Sequence, residues 1–335
     1  QTTWFNTMIG DGGQSGFDVK RKDFRFHTFF NATPDVNFNN GDIADWNWIA
    51  DQIYFSGEPQ SFYVPIISDP ITTRSMFVGL GHVWRTKTWG MGADGLAAFR
   101  ARCNEWFGVF DDFCGDWEPL GATTYAKLAY PNLPHPATYA ATRLTFGGPG
   151  PAQYGTDRSG GFVAAVERAS DESTLWAATS PGRVFISKNA DADSASTVTF
   201  KRLDNLATND PNRFVSGIHV DPANANRAWI SYSGFSATTL TTPGHVFEVT
   251  YNPLAGSATW VDVSYDFGDI PATDVARDDV TGDLYAATDF GVFLLAAGTT
   301  DWQVSAPGMP NVEVAGLTIV PSARRLYAAT HGLSA

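Results

Sequence analysis

The stretch GDLYAATDFGVFLL, residues 282–295, joins two short apolar runs through the turn sequence TDFG. Nearly the same phrase returns as RRLYAATHGLSA, residues 324–335, where the first run and the turn are present but the second run is not. Short runs of apolar, aromatic and Thr residues that are bounded by Gly and Asp are typical of β-strands. A pair of strands that recurs in this way predicts a repeat architecture.

Further copies extend this unit toward the N-terminus. In each copy, a run that often ends in Asp-Pro is followed by one like LYAAT, one like GVF and one that holds Trp or Phe. Clear copies cover 161–204, 215–264 and 272–307, and weaker ones lie within 61–121 and from Gly13 onward. The run SFYVPIISDP, residues 61–70, is predicted to be the first strand of its copy. Four antiparallel strands repeated every 40–55 residues or so are typical of β-propeller blades.

The predicted fold is all-β, a single β-propeller domain over residues 1–335 with about six four-stranded blades. Five blades are complete up to Pro307. The sixth is composite, with inner strands from 314–331 and its outer strand from TTWF, residues 2–5. Such a joint would remove exposed strand edges. Seven or eight blades are the alternative if the precursor is longer.

Two insertions are predicted: 88–115, with a short helix inside 92–107, and the long Pro- and Gly-rich loop 121–160.

Charge and composition limit the classes of partner. The net charge of −13 and the isoelectric point near 4.7 argue against nucleic acid and anionic membranes. Because the chain has no run of about 18 apolar residues, no membrane span is expected. The first residues, QTTWFNTM, lack the basic start and apolar core of a signal peptide, so a mature or trimmed form is expected.

The two cysteines lie close together in CNEWFGVFDDFC, and Cys103 and Cys114 are predicted to form a disulfide. Two unpaired buried thiols are the alternative. Because disulfides persist in oxidising compartments, the pairing favours a secreted or extracellular protein.

The phrases LYAATDFGVF, DWQ and MPNVEVAGLTIVPSARRLYAATHG resemble the BNR or Asp-box propellers. This broad group holds sialidases, xyloglucanase-like glycoside hydrolases and sortilin-like receptors. The resemblance is weak over 1–160 and strong over 161–335. The stretch from Ser187 to Phe200 is similar to a worn Asp box, which is a structural turn in the group. The arginine segment that marks sialidases is not found, since DFRFHTFF has an arginine without the pattern, so sialidase activity is not expected.

One rim of the predicted propeller is formed by the turns between second and third strands and by the connections between blades. The resemblance implies that ligands bind at this rim, and paired carboxylates are the minimum for glycoside hydrolysis. The candidate catalytic residues are Asp11, Glu313 and Asp289. The candidate substrate-binding residues are His331, His82, Arg183, Arg213, Tyr125, Tyr130 and Tyr139.

Aromatic residues among small polar ones, as in 121–160, can stack on the apolar faces of sugars. The alternative is that this loop only covers the central channel of the propeller and binds no ligand. The same rim is predicted to hold Asp35, Asp269 and the long connection 233–244. For Asp289, a tight turn in TDFG is the structural alternative to catalysis. No Gly-x-Ser-x-Gly motif and no His-x-x-x-His pair occur, so motifs give no support to a serine esterase or a zinc peptidase.

A candidate metal site lies in NADADSAS, where Asn189, Asp191 and Asp193 alternate as in loops that bind calcium through oxygen ligands. A solvated acidic turn is the alternative. No cofactor is predicted to be required, and calcium bound here would have a structural role.

The predicted function is that of a secreted carbohydrate-binding β-propeller that acts as a glycoside hydrolase on a polysaccharide through paired rim carboxylates. The alternative is a non-catalytic propeller that binds proteins or assembles outside the cell, as sortilin-like receptors do. The expected partners are a polysaccharide or the glycan of a glycoprotein, and other extracellular proteins under the alternative.

Overall fold

The computed structural model describes residues 12–109, 114–121, 161–305 and 307–332, and β-strands predominate among them. Two short α-helices occur in this part of the chain, α1 (Asp51–Tyr54) and α2 (Leu96–Cys103). Helix α2 lies inside the predicted helical stretch 92–107 and ends where Asn104 takes an extended conformation. Short 3₁₀ turns cover Ile43–Asp45, Ala195–Thr197, Asp204–Leu206, Ser236–Thr238 and Pro321–Ala323. Within the described residues, no helix is both long and apolar enough to cross a membrane.

The strands are short and follow one another through turns. In chain order they are β1 (Ser15–Phe17), β2 (Arg25–Thr28), β3 (Pro34–Asn37), β4 (Trp46–Trp48), β5 (Ile66–Ser68), β6 (Met76–Gly79), β7 (Val83–Thr86), β8 (Glu118–Pro119), β9 (Val163–Arg168), β10 (Leu175–Thr179), β11 (Val184–Ser187), β12 (Lys201–Arg202), β13 (Val215–Val220), β14 (Arg227–Tyr232), β15 (Val246–Asn252), β16 (Ser257–Asp262), β17 (Ala272–Arg277), β18 (Leu284–Thr288), β19 (Gly291–Leu295), β20 (Trp302–Val304), β21 (Val314–Val320) and β22 (Arg325–Thr330).

The strands form six sheets in which sequence neighbours pair. Five sheets have four strands each, β1–β4, β5–β8, β9–β12, β13–β16 and β17–β20, and the sixth has β21 and β22. The registers recorded for these pairs are antiparallel, for example between β18 and β19 and between β19 and β20. The prediction of repeated four-stranded antiparallel units is therefore confirmed. The predicted outer strand of the sixth unit, which includes Trp4, lies outside the described residues.

The chain packs as two compact units. The first comprises residues 1–168 and 188–199, and the second comprises 169–187 and 200–335. The apolar core of the first unit gathers the rings of Phe24, Phe26 and Phe38 against Ile49 and Phe99. In the second unit one core cluster holds Trp229, Phe267 and Trp302 among small aliphatic residues. The prediction that 1–335 is one domain stays a prediction.

Second and third strands in the middle of several sheets are buried along their whole length. Every residue of β6, β7, β10 and β11 is buried. A strand that is covered on both faces needs apolar or small residues throughout, so runs such as LWAAT do not alternate. This is why the repeat was visible in the sequence as continuous apolar runs.

The first strands of the last three sheets are joined through β-bulges. The register slips at Ser216 in β13 and at Thr273 in β17, which leaves one extra residue in each strand. The Ser216 hydroxyl donates to the Ala272 carbonyl at 2.7 Å, and the Thr273 hydroxyl donates to the Val314 carbonyl at 2.5 Å. These bonds place the first strands of successive sheets side by side within the second unit.

At the other end of the first strands, aspartates both cap turns and connect sheets. Asp69 accepts the backbone N–H groups of Ile71 and Thr72, and its other oxygen accepts Arg168 Nε at 2.8 Å. In the second unit Asp278 caps its own turn and pairs with Arg324 at 2.7 Å. The Asp that recurs after the first run is thus a structural residue.

Candidate functional site

Of the predicted catalytic residues, Glu313 and Asp289 are described by the structure, and Asp11 lies outside the described residues. Glu313 stands just before β21, and its carboxylate lies 2.9 Å from Nδ1 of His331, just after β22. Both side chains are about half exposed. Asp289 is exposed in the β18–β19 turn, where the Thr288 hydroxyl bonds to the backbone of Phe290 and Gly291. The structure therefore brings Glu313 and His331 into contact at one end of the β21–β22 hairpin, and sequence analysis had not paired these two residues.

Three predicted substrate-binding residues, Tyr125, Tyr130 and Tyr139, also lie outside the described residues. A fourth, His82, is completely buried in the first unit. Its Nδ1 lies 2.6 Å from Glu58, whose second oxygen accepts the backbone N–H of His82 and Nε1 of Trp84. Sequence analysis missed Glu58, which lies in the connection between β4 and β5. This cluster holds the β6–β7 turn in place and does not face solvent.

Arg183 lies in the β10–β11 turn and pairs with Asp204 at 3.1 Å. The same carboxylate accepts Arg202 Nε at 2.8 Å and the backbone N–H of Val184. Burial raises the pKa of Asp204, although these hydrogen bonds oppose the increase. Arg183 is therefore part of an ion-pair network that ties the turn to the connection after β12.

The candidate calcium loop is held by cationic side chains of the first unit. The carbonyl oxygens of Ala190 and Ala192 accept Arg85 Nη1 at 2.7 and 2.8 Å, and Lys87 donates to the Asp191 carbonyl. The Asn189 side chain bonds to Thr197 and Thr199, and Asp193 is exposed. In the described part of the chain, no group of three or more His, Cys, Asp or Glu side chains could hold a metal ion. The calcium site stays a prediction.

The predicted disulfide is confirmed. Cys103, the last residue of α2, is bonded to Cys114, and both residues are fully buried. The loop that this bond closes is attached to β4 at Glu105, whose N donates to the Trp46 carbonyl, and to α1 at Cys114, whose carbonyl accepts Asp51 N, each at 3.0 Å. The described residues on either side of the disulfide are thus tied to the first sheet and to α1.

This loop brings a second carboxyl group to Asp35, one of the predicted rim residues. Asp35 in β3 is 2% exposed and lies opposite His27 of β2, whose Nε2 is 3.5 Å from Asp35 Oδ2. Burial raises the pKa of Asp35 well above its usual range, and the hydrogen bond and repulsion from Glu105 raise it further. Burial lowers the pKa of His27. Burial and the neighbouring Glu105 therefore both favour the neutral form of Asp35.

Two exposed and two partly buried aromatic residues cluster at the β2–β3 turn and the β4–β5 connection, and we call Phe29, Phe30, Phe62 and Tyr63 the aromatic ledge. The ring centroids are 4.7 Å apart for Phe29 and Phe30, 6.4 Å for Phe30 and Phe62, and 5.0 Å for Phe62 and Tyr63. Phe62 is 47% exposed and Tyr63 is 50% exposed. The ledge belongs to the first unit and occupies the kind of turn and connection where ligand binding was predicted.

The backbone under the aromatic ledge is fixed by hydrogen bonds. Asn31 N donates to the Phe62 carbonyl at 2.7 Å, and Ala32 N donates to the Gln60 side-chain oxygen at 2.6 Å. The Thr33 hydroxyl closes the turn by donating to the Phe30 carbonyl. Asn31 adopts a φ of 51°, which asparagine tolerates better than most residues. The rings are therefore held on a turn that hydrogen bonds fix in place, so ligand binding should cost little conformational entropy.

Sequence analysis missed the aromatic ledge because it assigned SFYVPIISDP to a strand. Strand β5 begins only at Ile66, after Pro65, which has no N–H group to donate to a sheet. Phe62 and Tyr63 consequently lie in the connection and face solvent instead of the core. The proline inside the run was the signal that could have shown this.

In the second unit, the predicted binding residue Arg213 holds the long connection 233–244. Its Nη1 donates to the Thr239 hydroxyl at 3.2 Å, and its Nη2 donates to the Gly244 carbonyl. The guanidinium is buried, and its Nε donates no hydrogen bond among the described residues. Asp269, which was predicted at the same rim, accepts the backbone N–H of Ser236 at 2.5 Å. Both residues thus fasten this connection to the ends of the strands.

Beside Arg213 lies a buried carboxyl group that the sequence did not reveal. Asp210 is 5% exposed and accepts the Tyr232 hydroxyl at 2.6 Å, while its Oδ2 has no partner among the described residues. Burial raises the pKa of Asp210 to about 7. A carboxyl group that titrates near neutral pH is common at functional sites and also occurs in structural networks.

No protein-family model and no curated protein matches the chain. Among solved structures, the chain is similar to an ancestral GH74 enzyme, with a TM-score of 0.52, 14% identity and 97% of this chain covered. The fold is a β-propeller. The chain spans 35% of the length of that enzyme, and at such low identity the likeness shows the fold alone. The narrower resemblance to BNR or Asp-box propellers stays a prediction.

Two further structures are similar at a lower level. The extracellular domain of a hybrid two-component system from B. thetaiotaomicron has a TM-score of 0.49 and 13% identity, with 96% of this chain and 33% of that chain covered. YCF48, solved with a bound peptide, has a TM-score of 0.49 and 11% identity, with 96% of this chain and 75% of that chain covered.

Proposed function

We propose that the protein binds an uncharged polysaccharide or glycan outside the cell, and that the aromatic ledge is the binding surface. The observation that carries this proposal is the row of four neighbouring rings, two of them about half exposed, on a turn braced by hydrogen bonds. Exposed rings that are held in place can stack on the apolar faces of sugar rings, and polar groups beside them can fix the orientation of the sugar.

The charge around the ledge favours a neutral ligand. Residues 29–33 and 59–63 contain no charged side chain, although the whole protein carries a net charge of −13. The polar side chains of these two segments are the amides of Asn31 and Gln60 and the hydroxyls of Ser61 and Thr33, of which Thr33 is buried. Amides and hydroxyls form hydrogen bonds with sugar hydroxyl groups, whereas an acidic polysaccharide would be repelled by the protein as a whole.

The disulfide supports an extracellular location. The bond between Cys103 and Cys114 closes a loop at the surface of the first sheet, and such bonds persist mainly in oxidising compartments. A neutral cell-wall or matrix polysaccharide, or the glycan of a glycoprotein, is the kind of ligand that this location offers.

Hydrolysis of the bound polysaccharide is a second candidate function, and the contact between Glu313 and His331 favours it. The carboxylate and imidazole lie 2.9 Å apart and half exposed at the end of one hairpin, so a substrate could reach both. In this proposal Glu313 and Asp289 act as the acid and base that glycoside hydrolysis requires, with Asp11 as a further carboxylate. A non-catalytic protein-binding propeller is the alternative.

A polysaccharide panel tests the binding proposal. The protein would be run by affinity electrophoresis through gels that contain neutral polysaccharides, such as xyloglucan, mannan or β-glucan, or acidic ones, such as pectate. We expect retardation in at least one neutral gel and none in the acidic gels. Retardation should change little when salt is raised, because stacking does not depend on charge. Binding to acidic gels alone would contradict the proposal.

A further inference from the structure

A second group of aromatic residues lies in the first unit, and it shares the β4–β5 connection with part of the aromatic ledge. Trp48 is the last residue of β4, Tyr54 is the last residue of α1, and Phe55 follows it. The ring centroids are 6.1 Å apart for Trp48 and Tyr54 and 5.0 Å for Tyr54 and Phe55. Tyr54 is 43% exposed and Phe55 is 45% exposed, close to the fractions for the two exposed rings of the ledge. We call Trp48, Tyr54 and Phe55 the second aromatic row.

The second aromatic row and the aromatic ledge lie at the same end of the first sheet. Trp48 in β4 pairs with Asp35 in β3, and Asp35 pairs with His27 in β2, two residues before Phe29. Because neighbouring strands are about 4.8 Å apart, two strand spacings correspond to roughly 10 Å. The two groups of rings therefore begin about 10 Å apart across the sheet, which is close enough for one extended ligand to contact both.

Hydrogen bonds and buried side chains hold the connection between the two groups of rings. Phe55 N donates to the Asp51 carbonyl at 3.0 Å, and the Ser56 hydroxyl donates to the Ile53 carbonyl at 2.7 Å. Ile53 and Glu58 are buried, and the Glu58 carboxylate accepts a backbone N–H of the β6–β7 turn. The rings of the second aromatic row are therefore carried by an ordered backbone, as those of the aromatic ledge are.

The exposed surface of this connection carries no charge. In residues 52–63 the only charged side chain is that of Glu58, which is buried and lies 2.6 Å from His82 Nδ1. Just before this stretch, the Asp51 carboxylate accepts Trp48 Nε1 and the N–H of Cys114, each at 2.7 Å. An uncharged surface with two groups of rings suits a neutral ligand that extends beyond the ledge.

Packing does not require the exposed rings of this row. Ile53, which is fully buried, supplies the apolar contact between α1 and the core of the first unit. Tyr54 and Phe55 leave nearly half of their surface in solvent beside each other. Single exposed apolar residues are ordinary on protein surfaces, whereas contiguous exposed rings mark interaction sites.

We propose that the second aromatic row is a further sugar-binding subsite, and that the ligand is an extended neutral polysaccharide chain that contacts this row and the aromatic ledge together. This inference rests on the proposed binding function of the ledge. Once a chain is bound at the ledge, its contact with the second row is intramolecular and adds to the affinity. A short oligosaccharide reaches one group of rings only. The site therefore favours a long polysaccharide over a short glycan of a glycoprotein.

Calorimetric titration with oligosaccharides of two lengths tests this inference. Xyloglucan, mannan or β-glucan, whichever retards the wild type in affinity gels, would be cut by partial hydrolysis into two-unit and six-unit oligosaccharides. We expect the wild type to bind the six-unit chain at least about tenfold more tightly than the two-unit chain. Tyr54→Ala should lower the affinity for the six-unit chain about tenfold and leave that for the two-unit chain within about twofold. Phe62→Ala should weaken the binding of both.

Tyr327→Ala is the matched control, since Tyr327 is 44% exposed and lies on β22 in the second unit. It should leave both affinities unchanged. Tyr54→Phe, which keeps the ring, should retain most of the six-unit affinity, and thermal unfolding would confirm that every variant is folded.

The inference is overturned if Tyr54→Ala binds the six-unit chain as tightly as the wild type does. It is also overturned if the wild type binds the six-unit chain no more tightly than the two-unit chain. The proposed function of the ledge survives either result when Phe62→Ala weakens binding. If the wild type binds none of the three polysaccharides, the proposed function fails, and this inference fails with it.

Discussion

The Tyr232 hydroxyl donates to the Asp210 carboxyl group at 2.6 Å, in a site where both side chains are almost completely buried. Burial raises the pKa of Asp210 from 3.8 to about 7. The folded protein therefore retains on Asp210 a proton that the unfolded chain releases above about pH 4. This difference links the stability of the second unit to pH.

We expect the titration of Asp210 to lower the free energy of unfolding as pH rises from about 4 to about 7. Across that range the folded protein binds more protons at Asp210 than the unfolded chain does. About three pKa units correspond to at most about 4 kcal/mol. Urea unfolding at pH 4.5 and pH 7.5 measures the change for the wild type and for Asp210→Asn. The variant, which does not titrate here, should show a smaller loss. Equal losses in both proteins would contradict the assignment.

Asp35→Asn should be tolerated, because burial and Glu105 favour the neutral form of Asp35, and the asparagine amide is neutral and can donate to Glu105. We expect its melting temperature to change by no more than a few degrees. Asp35→Ala should cost about 1–3 kcal/mol, because it removes the hydrogen-bond donor to Glu105. If the asparagine variant loses as much stability as the alanine variant, a neutral donor at residue 35 does not stabilise this site.

Removal of the disulfide should destabilise the first unit. Cys103→Ser combined with Cys114→Ser opens the loop that the disulfide closes, and we expect a loss of about 2–4 kcal/mol in urea unfolding. Reduction of the wild-type protein should give a similar loss, which separates the bond from the side-chain changes. An unchanged midpoint in both experiments would show that the loop is held without the bond.

If the protein hydrolyses the polysaccharide that it binds, Glu313→Gln should lower turnover by about 100-fold or more, because the amide can neither give nor take the proton. Binding should remain, since the side chain lies outside the aromatic ledge. Glu248→Gln is a suitable control, because Glu248 is partly exposed on β15. Full activity in Glu313→Gln would remove this residue from the proposed mechanism, and Asp289→Asn would then be tested in the same assay.

The repeat was readable from sequence because each strand carries a local pattern. The run LYAAT becomes β18, in which four of five residues are buried, and its second copy lies within β22, whose residues are exposed or partly exposed. The number of four-stranded units followed from counting these runs. Strand ends were harder to place, because Pro65 delays β5 by several residues and thereby exposes Phe62 and Tyr63.

The candidate sites were predictable only in part. Arg213 and Asp269 were assigned to one rim from strand order, and the structure places both against the connection 233–244. The contact of Tyr54 with Trp48 could not be inferred, because it depends on how the connection after β4 folds. The effect of Glu105 on Asp35 depends on an insertion from another sheet, so no local sequence pattern predicts it.

The most direct test of carbohydrate binding is the affinity of Phe62→Ala for the neutral polysaccharide that the wild type retains, measured by isothermal titration calorimetry. Tyr265→Ala is the matched control, since Tyr265 is 51% exposed and lies in the second unit. We predict that Phe62→Ala lowers the affinity about tenfold, or about 1.4 kcal/mol, while Tyr265→Ala binds as the wild type does. Equal affinities for the wild type and Phe62→Ala would show that the aromatic ledge is not the binding surface.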